Sequence, residues 1–399
     1  MPSYLSSSIL LTALCLFCGC ATPPGTSVDG TAVKRPRPEI LAADPPQITQ
    51  PMALPEAEGT HSVVFRGVEE AGFNLHSYLA RHDGMFWAMW SSAQVGEEDP
   101  DQLVRFATSE DGHAWSEAKI LVDDPDGRDG PARWISRGLF ADQGKLYALA
   151  AYVESADYGR RGEGTVWKNL RLMRFVWNGE AWEGRGVFAD NCMNNFPPAR
   201  LGARWGMSCR DAEMNVSMAL APDIDDIDAI ENINDPAWHF TPLASDPPFH
   251  KMDEPTWYRA GSLVHMIVRD GNHSGRLIRV LSNDDGASWG APALTNYPDA
   301  TSKNFTGKLD GGPYFLINNP NPNGRDPLAI SFSADGWAFG ETLAIRKNAP
   351  PRRFEGRAKP SGSFQYPHAI EHGGSLWVIY STNKEDIEIS EYPVSGFGL

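Results

Sequence analysis

The sequence is short of positive charge. It has 35 Lys and Arg residues against 51 Asp and Glu residues, which gives a net charge of −16 over 399 residues. Nucleic acids and anionic membrane surfaces are bound by clustered Lys and Arg, so this balance argues against both as partners. An acidic ligand would have to be met by a few locally placed arginines.

Cysteine is also scarce, and the five cysteines form neither a pair of CxxC motifs nor a Cys/His cluster typical of a zinc site. We expect no metal and no other cofactor. Cys15 and Cys18 fall inside a predicted signal peptide. Cys192 and Cys209 flank the loop-like stretch MNNFPPARLGARWGMS. In an exported protein this pair could form one disulfide or remain as two buried thiols.

The chain lacks an apolar run long enough to cross a bilayer as a helix. The run Ile9–Phe17 has nine residues, the length of a signal-peptide core, and the sequence Cys18-Gly19-Cys20 follows it. This pattern resembles a bacterial lipoprotein signal over residues 1–20, with Cys20 as the lipidated residue; an ordinary secretory signal is the alternative. We expect an exported protein, anchored by lipid in the periplasm or at the cell surface, or otherwise secreted. Residues 21–59 are rich in Pro without alternation, which predicts a disordered tether.

No long segment sustains a helical period. From residue 60 to residue 399 the chain consists of strand-length runs rich in β-branched and aromatic residues, separated by Gly, Asp and Asn; examples are GMFWAMWSS, GKLYALAAYV and GSLWVIYST. Evenly spaced short strands predict an all-β domain that is a sandwich, a barrel or a propeller.

A repeated turn favours the propeller. Four stretches carry an Asp or Asn, a Gly and an aromatic residue at similar spacing: Ser282, Asp284, Gly286 and Trp289; Thr108, Asp111, Gly112 and Trp115; Asp335, Gly336 and Phe339; Asn178, Gly179 and Trp182. The Asp or Asn side chain can accept backbone N–H bonds within the turn, and Gly adopts a φ that other residues resist. The turn resembles the Asp-box (BNR repeat) of sialidases and related β-propellers, in which each copy closes one blade. We expect the boxes to be structural.

The spacing of runs and boxes gives about six units, which predicts a six-bladed β-propeller. The units are roughly residues 61–120, 128–185, 186–245, 250–292, 305–342 and 362–397. The stretch NKEDIEI near Lys384 should be a solvated turn before the last strand. That strand would pair with residues near Val63 and close the ring.

Three further stretches resemble the active-site segments of the sialidase (neuraminidase) superfamily. DEPTWYRAGSLVHMIVRD has Glu254 before a turn and strand that Arg269 ends; NNPNPNGRDPLAISFSADGWAF has Arg325 before a strand; and GSFQYPHAIEHGGSLWVIYS has Tyr366. The resemblance implies a glycoside hydrolase that removes a terminal acidic sugar, with Tyr366 as nucleophile and Glu254 as its base. Arg269 and Arg325 would hold the substrate carboxylate.

Two positions depart from the family pattern. Sialidases carry a further Arg before the first inner strand, where this sequence has Asn74. The general acid, an Asp in the loop before the first box, is assigned to Asp99, with Asp101 as the alternative. The expected partner is an acidic glycan, and we expect the protein to act as a monomer.

Two other functions remain open from the sequence. A propeller polysaccharide lyase would use arginines to neutralise a uronate carboxylate and a His or Tyr to move the proton. Tyr366 and His76 suit that role, and His273 and His368 are further candidates. A non-catalytic glycan-binding propeller is the third hypothesis. Lys303 and Arg276 are interpreted as surface residues or rim contacts.

Overall fold

The fold was analysed in a computed structural model of the chain. It describes residues 39–49, 52–97, 99–100, 102–123, 126–128, 130–154, 167–221, 227, 238–249, 251–355 and 362–399. The predicted signal peptide, Cys20 and Asp101 lie outside these residues. Within them no helix is long and apolar enough to cross a membrane.

The described chain is all-β, and its strands form six antiparallel sheets, the blades of a propeller. Blade 1 contains β2 (Phe73–His82), β3 (Met85–Ala93), β4 (Leu103–Ser109) and β5 (Lys119–Val122). Blade 2 contains β6 (Ala132–Asp142), β7 (Lys145–Glu154), β8 (Lys168–Trp177) and β9 (Trp182–Asp190). Blade 3 contains β10 (Met193–Asn194), β11 (Ala199–Leu201), β12 (Arg204–Arg210), β13 (Val216–Leu220) and β14 (His239–Pro242).

The second half of the ring follows the same order. Blade 4 contains β15 (Met252–Ala260), β16 (Leu263–Asp270), β17 (Arg276–Ser282) and β18 (Ala293–Pro298). Blade 5 contains β19 (Phe305–Lys308), β20 (Tyr314–Asn318), β21 (Leu328–Ser333) and β22 (Gly340–Arg346). Blade 6 contains β23 (Phe364–His372), β24 (Ser375–Thr382) and β25 (Asp386–Pro393), followed by a 3-10 turn at Val394–Phe397. The predicted six-bladed propeller is therefore confirmed.

The ring closes by pairing its two ends. Strand β1 (Thr60–Phe65) adds to blade 6 beside β25, with Val63 opposite Glu388 as predicted. Two unit boundaries were wrong. Residues 61–65 belong to the last blade instead of the first, and residues 186–190 end β9 of blade 2 instead of starting the third unit.

The Asp-boxes connect the third and fourth strands of their blades. In the box of blade 4, Asp284 Oδ1 accepts bonds from Ser282 Oγ at 2.7 Å and the Ser288 N–H at 2.9 Å. In blade 1 the hydroxyl is supplied by Ser109, which bonds Asp111 at 3.0 Å, and not by Thr108 as predicted. The site residues described below come from the opposite ends of the strands, so the boxes serve the fold.

The segment predicted as a tether is packed in its second half. Glu39, Ala42 and Glu56 form parallel bridges to the outer strands of blades 4 and 5, and Leu41 and Ala42 are buried. Glu39 also pairs with the fully buried Arg279 at 2.5 Å. The tether prediction is therefore wrong for this part, because apolar side chains and backbone groups of residues 39–57 cover edge strands that would otherwise face water.

Cys192 and Cys209 form a disulfide, which decides between the two alternatives left open by the sequence. The bond joins the residue before β10 to β12, the strand that ends in Arg210. It therefore fixes, within blade 3, the strand end from which Arg210 reaches the candidate site.

Replacing Gly112 with Ala should destabilise the propeller at the contact between blades 1 and 6. Gly112 has a φ of 79°, and a Cβ there would lie 2.4 Å from the Trp377 ring. Gly84 is the matched control because its φ is 73° and nothing lies within 4 Å of a Cβ. We expect Gly84→Ala to cost about 1 kcal/mol of unfolding free energy and Gly112→Ala about 1 to 3 kcal/mol more, measured by urea denaturation. Equal losses would contradict the packing role of the box.

Candidate active site

The first strand of four blades is interrupted by a bulge at a corresponding point. The register shifts lie at residues 75–78 of β2, 136–138 of β6, 253–256 of β15 and 365–368 of β23. Three residues within them, His76, Glu254 and Tyr366, have φ values of 54°, 45° and 61°. Bulges change the direction of side chains, and bulky residues with positive φ persist where the surrounding structure holds them. These strained positions identify the candidate site.

Tyr366, Glu254 and Arg269 form one hydrogen-bonded cluster, although they come from blades 6 and 4. The Tyr366 hydroxyl lies beside the Glu254 carboxylate, and Arg269 bridges the two. Arg269 Nη1 donates to Glu254 Oε2 at 2.6 Å and to Tyr366 Oη at 3.4 Å. All three side chains are largely buried, and Tyr366 is 4% exposed. The structure thus brings together three of the residues that the sequence indicated.

The charges in this cluster favour a neutral tyrosine beside an ionised carboxylate. Burial raises the pKa of Glu254, but the guanidinium groups of Arg269 and Arg210 and the neighbouring Tyr366 hydroxyl outweigh burial and hold that pKa well below its usual range. Burial and the Glu254 charge raise the pKa of Tyr366 well above its usual value. At neutral pH the pair is therefore a protonated phenol beside an ionised carboxylate.

Arg325 approaches the same tyrosine from blade 5. It donates to the Gln365 side chain and to the Thr301 carbonyl oxygen, the latter at 3.1 Å, and its guanidinium carbon lies 5.7 Å from the centre of the Tyr366 ring. Asp299 begins the loop that presents Thr301, and burial raises the pKa of Asp299 to about 6, against hydrogen bonds from Asn318 and Ser302. The second predicted arginine therefore also belongs to the cluster.

Lys303 was interpreted as a surface or rim residue, and this is wrong. Its side chain is 0% exposed and donates to Tyr78 Oη at 3.0 Å, while Nζ lies 4.2 Å from the centre of the Phe196 ring. Burial and the nearby Arg137 charge hold the pKa of Lys303 well below its usual value. The loop after β18 directs this lysine into the interior. The polar residues around Lys303 in the sequence give no sign of that burial.

His76 lies at the edge of the cluster. Its ring centre is 5.3 Å from that of Tyr366, and its nitrogens contact Ser91 Oγ at 3.3 Å and Glu97 Oε1 at 3.4 Å. Burial and the Arg137 charge lower the pKa of His76 to about 4, although Glu97 opposes them. His76 is therefore neutral at pH 7, with both nitrogens engaged by protein groups.

The loop between β3 and β4 reaches the cluster through Glu97. Lys384 Nζ donates to Glu97 Oε2 at 2.6 Å, so Lys384 is a buried partner of this loop and not the solvated residue that the sequence suggested. Asp99, the predicted general acid, is half-buried in the same loop, where its carbonyl oxygen accepts a bond from the Gln102 N–H at 3.0 Å. Glu97 was missed because the pattern of the family directs attention to aspartates.

Asn74 occupies the position at which sialidases have their first arginine. Its amide donates to the Ala71 and Glu385 carbonyl oxygens, both at 2.8 Å, and accepts a bond from Trp90 Nε1 at 3.1 Å. Asn74 therefore holds two loops together and supplies no cation.

Two buried arginines were missed by the sequence reasoning. Arg210, at the end of β12, pairs with Asp253, and Arg137 lies in the bulge of β6. Arg137 stands in β6 at the position that Glu254 has in β15 and Tyr366 has in β23. An alignment of the first strands of the blades would therefore have identified it. The other two candidate histidines lie outside the cluster. His273 is exposed. His368 lines a cavity of about 440 Å³ whose walls are mainly apolar residues of the first strands, beyond the bulges.

Comparisons with known proteins agree with this architecture. The sequence matches the BNR repeat-like domain family over residues 84–378. The chain belongs to this family. No curated protein is significantly similar to it in sequence.

Solved structures of sialidases share the fold of this BNR-repeat propeller. One sialidase superposes with a TM-score of 0.62 and 21% identity, over 86% of this chain and 33% of its own. Trypanosoma rangeli sialidase gives 0.61 and 12%, over 87% of this chain and 61% of its own. A leech intramolecular trans-sialidase gives 0.59 and 13%, over 85% and 71%. The chain thus spans a third of the length of the first of these proteins. The fold confirms the predicted membership of the sialidase superfamily.

Removing the His76 imidazole should make the stability of the BNR-repeat propeller less sensitive to acid. An unfolded His binds a proton below about pH 6.5, whereas His76 in the fold does so only near pH 4, so stability is lost as pH falls between these values. One such group contributes a slope of about 1.4 kcal/mol per pH unit in unfolding free energy. We expect His76→Asn, which tolerates the positive φ, to remove this slope in urea titrations from pH 7.5 to 4.5.

His273→Asn is the control, because His273 is exposed and also has a positive φ, of 60°. An unchanged slope in His76→Asn would show that the buried imidazole is not the titrating group.

Proposed function

We propose that this protein is an exo-acting glycoside hydrolase that removes a terminal acidic sugar, such as sialic acid, through a covalent bond to Tyr366. The observation that carries the proposal is the buried contact between a neutral Tyr366, an ionised Glu254 and Arg269. A tyrosine avoids the repulsion that a carboxylate nucleophile would meet from an acidic substrate.

The reaction follows from the positions of these groups. Tyr366 Oη attacks the anomeric carbon and gives its proton to Glu254, while the bond to the leaving oxygen breaks and that oxygen takes a proton from the general acid. Water then attacks the same carbon and loses a proton to the former acid. The sugar–tyrosine bond breaks, and Glu254 returns its proton to Tyr366.

An acidic substrate is supported by the guanidinium groups around the nucleophile. Arg269 lies 3.4 Å from Tyr366 Oη, and Arg325 lies beside the ring of the same residue. A carboxylate held by these groups is adjacent to the carbon that Tyr366 attacks. This arrangement fits a sugar that carries its carboxylate on the anomeric carbon.

A lyase that acts on a uronate-containing glycan is the second candidate, supported by the neutral His76 beside Tyr366. The contacts of both His76 nitrogens to Ser91 and Glu97 make this histidine less available as a proton carrier. For this reason we place hydrolysis first. A non-catalytic glycan-binding propeller would bind without turnover.

The proposal includes export, since the Cys192–Cys209 disulfide is consistent with an oxidising compartment. A lipid anchor at Cys20 would place the enzyme at a membrane surface, where a monomer could act on acidic glycans.

Tyr366→Phe should abolish covalent trapping and turnover. Trypanosoma rangeli sialidase has been described as a covalent intermediate with 2,3-difluorosialic acid. We expect the same reagent to label Tyr366, detected by peptide mass spectrometry, and Tyr366→Phe to lose the label and at least about 10³-fold in sialoside hydrolysis. Tyr314→Phe, in blade 5, is the control. Label retained in Tyr366→Phe would contradict the assignment, and an absorbance rise from unsaturated uronate without sialic acid release would favour the lyase.

A comparison of two substrates with different leaving groups should identify the general acid. Glu97 is held ionised by Lys384 and His76, which leaves Asp99 as our assignment. We expect Asp99→Asn to lose about 10²-fold or more on natural sialosides but little on nitrophenyl sialosides, whose leaving group needs no proton. Glu97→Gln should affect both substrates alike, because it disturbs His76 and Lys384. Equal effects of Asp99→Asn on the two substrates would contradict its role.

A further inference from the structure

Arg137 has an unusually poor set of hydrogen-bond partners for a buried guanidinium. The residue is 2% exposed, and Nη2 donates to the Met193 thioether sulfur at 2.8 Å, a weak acceptor. Nε and Nη1 have no hydrogen-bond partner, and no carboxylate of the described residues pairs with Arg137. Burial of a charged group in this state is costly, so a ligand that supplies the missing acceptor would relieve it.

The position of Arg137 places this charge within the candidate active site. Arg137 lies in the bulge of β6, the counterpart in blade 2 of the bulges that carry Glu254 and Tyr366. The charge of Glu254 acts on Arg137, and the charge of Arg137 acts on His76. Arg137 also lies close to Tyr78, whose hydroxyl donates to the Asn195 carbonyl oxygen at 2.6 Å and is thereby fixed.

The charged groups of the cluster do not balance. Three pairs are complete: Arg210 with Asp253, Arg269 with Glu254, and Lys384 with Glu97. Among the described residues, Arg137 and Arg325 form no ion pair, whereas the buried Asp299 is the carboxylate left unpaired near Arg325, and burial disfavours the charged form of Lys303. A site with this excess in a protein of net charge −16 is built for an anion.

We propose that Arg137 is the third arginine of the substrate-carboxylate site, together with Arg269 and Arg325, and that it replaces the cation missing at Asn74. The carboxylate of an acidic sugar would accept bonds from the unpartnered Nε and Nη1, a geometry that suits a two-oxygen acceptor. Arg210 is not part of this site, since Asp253 already neutralises it. The carboxylate then sits toward blades 2, 4 and 5.

This inference deepens the proposed function and rests on it for the substrate, but it can fail separately. The test compares binding of the inhibitor DANA, which is found in a Trypanosoma rangeli sialidase structure, with binding of its uncharged methyl ester, by calorimetry. In Arg137→Gln we expect the affinity for DANA to fall about 10- to 100-fold and the affinity for the methyl ester to change less than about 3-fold.

Two further variants keep the test interpretable. Arg137→Lys retains the positive charge but loses the paired N–H donors of the guanidinium. It should fold even where Arg137→Gln does not, and it should lower the affinity for DANA by a smaller factor. Arg174→Gln is the matched control, because Arg174 is also buried in blade 2 but donates to the Ile227 carbonyl oxygen at 3.0 Å, and it should leave DANA affinity unchanged.

Glucuronate and formate serve as probes if DANA does not bind the native protein. Binding of either that is weakened in Arg137→Gln would uphold the carboxylate site and count against sialic acid as the substrate. Equal affinity of the native protein and both Arg137 variants for an acidic probe would overturn the inference. So would the failure of every acidic probe to bind the native protein.

Discussion

The pairing of β1 with β25 is the constraint on which the rest of the molecule depends. It joins residues 60–65 to the last blade, so that the two ends of the propeller are held by backbone hydrogen bonds. The cluster around Tyr366 is drawn from all six blades, with Arg210 from blade 3, and its members approach one another only in a closed ring. Residues 39–49 and 52–57 add a separate support from outside, because they bridge to the outer strands of blades 4 and 5.

Within the closed ring, the bulges decide which side chains reach the centre. A regular strand would point alternate residues into the spaces between blades, where they would pack against apolar neighbours. The extra residues at His76, Arg137, Glu254 and Tyr366 break this alternation at one level of the ring. The strain of three positive φ values is offset by the hydrogen bonds and ion pairs that these residues make.

The parts of the site that the sequence predicts are those with local signals. Tyr366, Glu254, Arg269 and Arg325 each have a fixed relation to a strand or an Asp-box, and the boxes also predict the blade count. Arg137, Lys303 and Glu97 have no such relation, since their roles depend on which blades face one another across the ring. Residues 39–57 were misjudged for a similar reason: their composition is that of a linker, and the strand edges that they cover lie more than 200 residues away in sequence.

The protonation state of Tyr366 depends on how charge is distributed at short range. The net charge of −16 is spread over a surface where salt screens it within about 8 Å. Inside the cluster water is largely excluded, so Arg269 and Arg210 keep Glu254 ionised and Glu254 keeps Tyr366 protonated. A bound carboxylate would compete with Glu254 for Arg269, which would make Glu254 a stronger base at the moment when Tyr366 must lose its proton. On the proposed mechanism the guanidinium groups therefore have two roles, since Arg137, Arg269 and Arg325 would hold the acidic ligand while Arg210 would still act on the charge of Glu254.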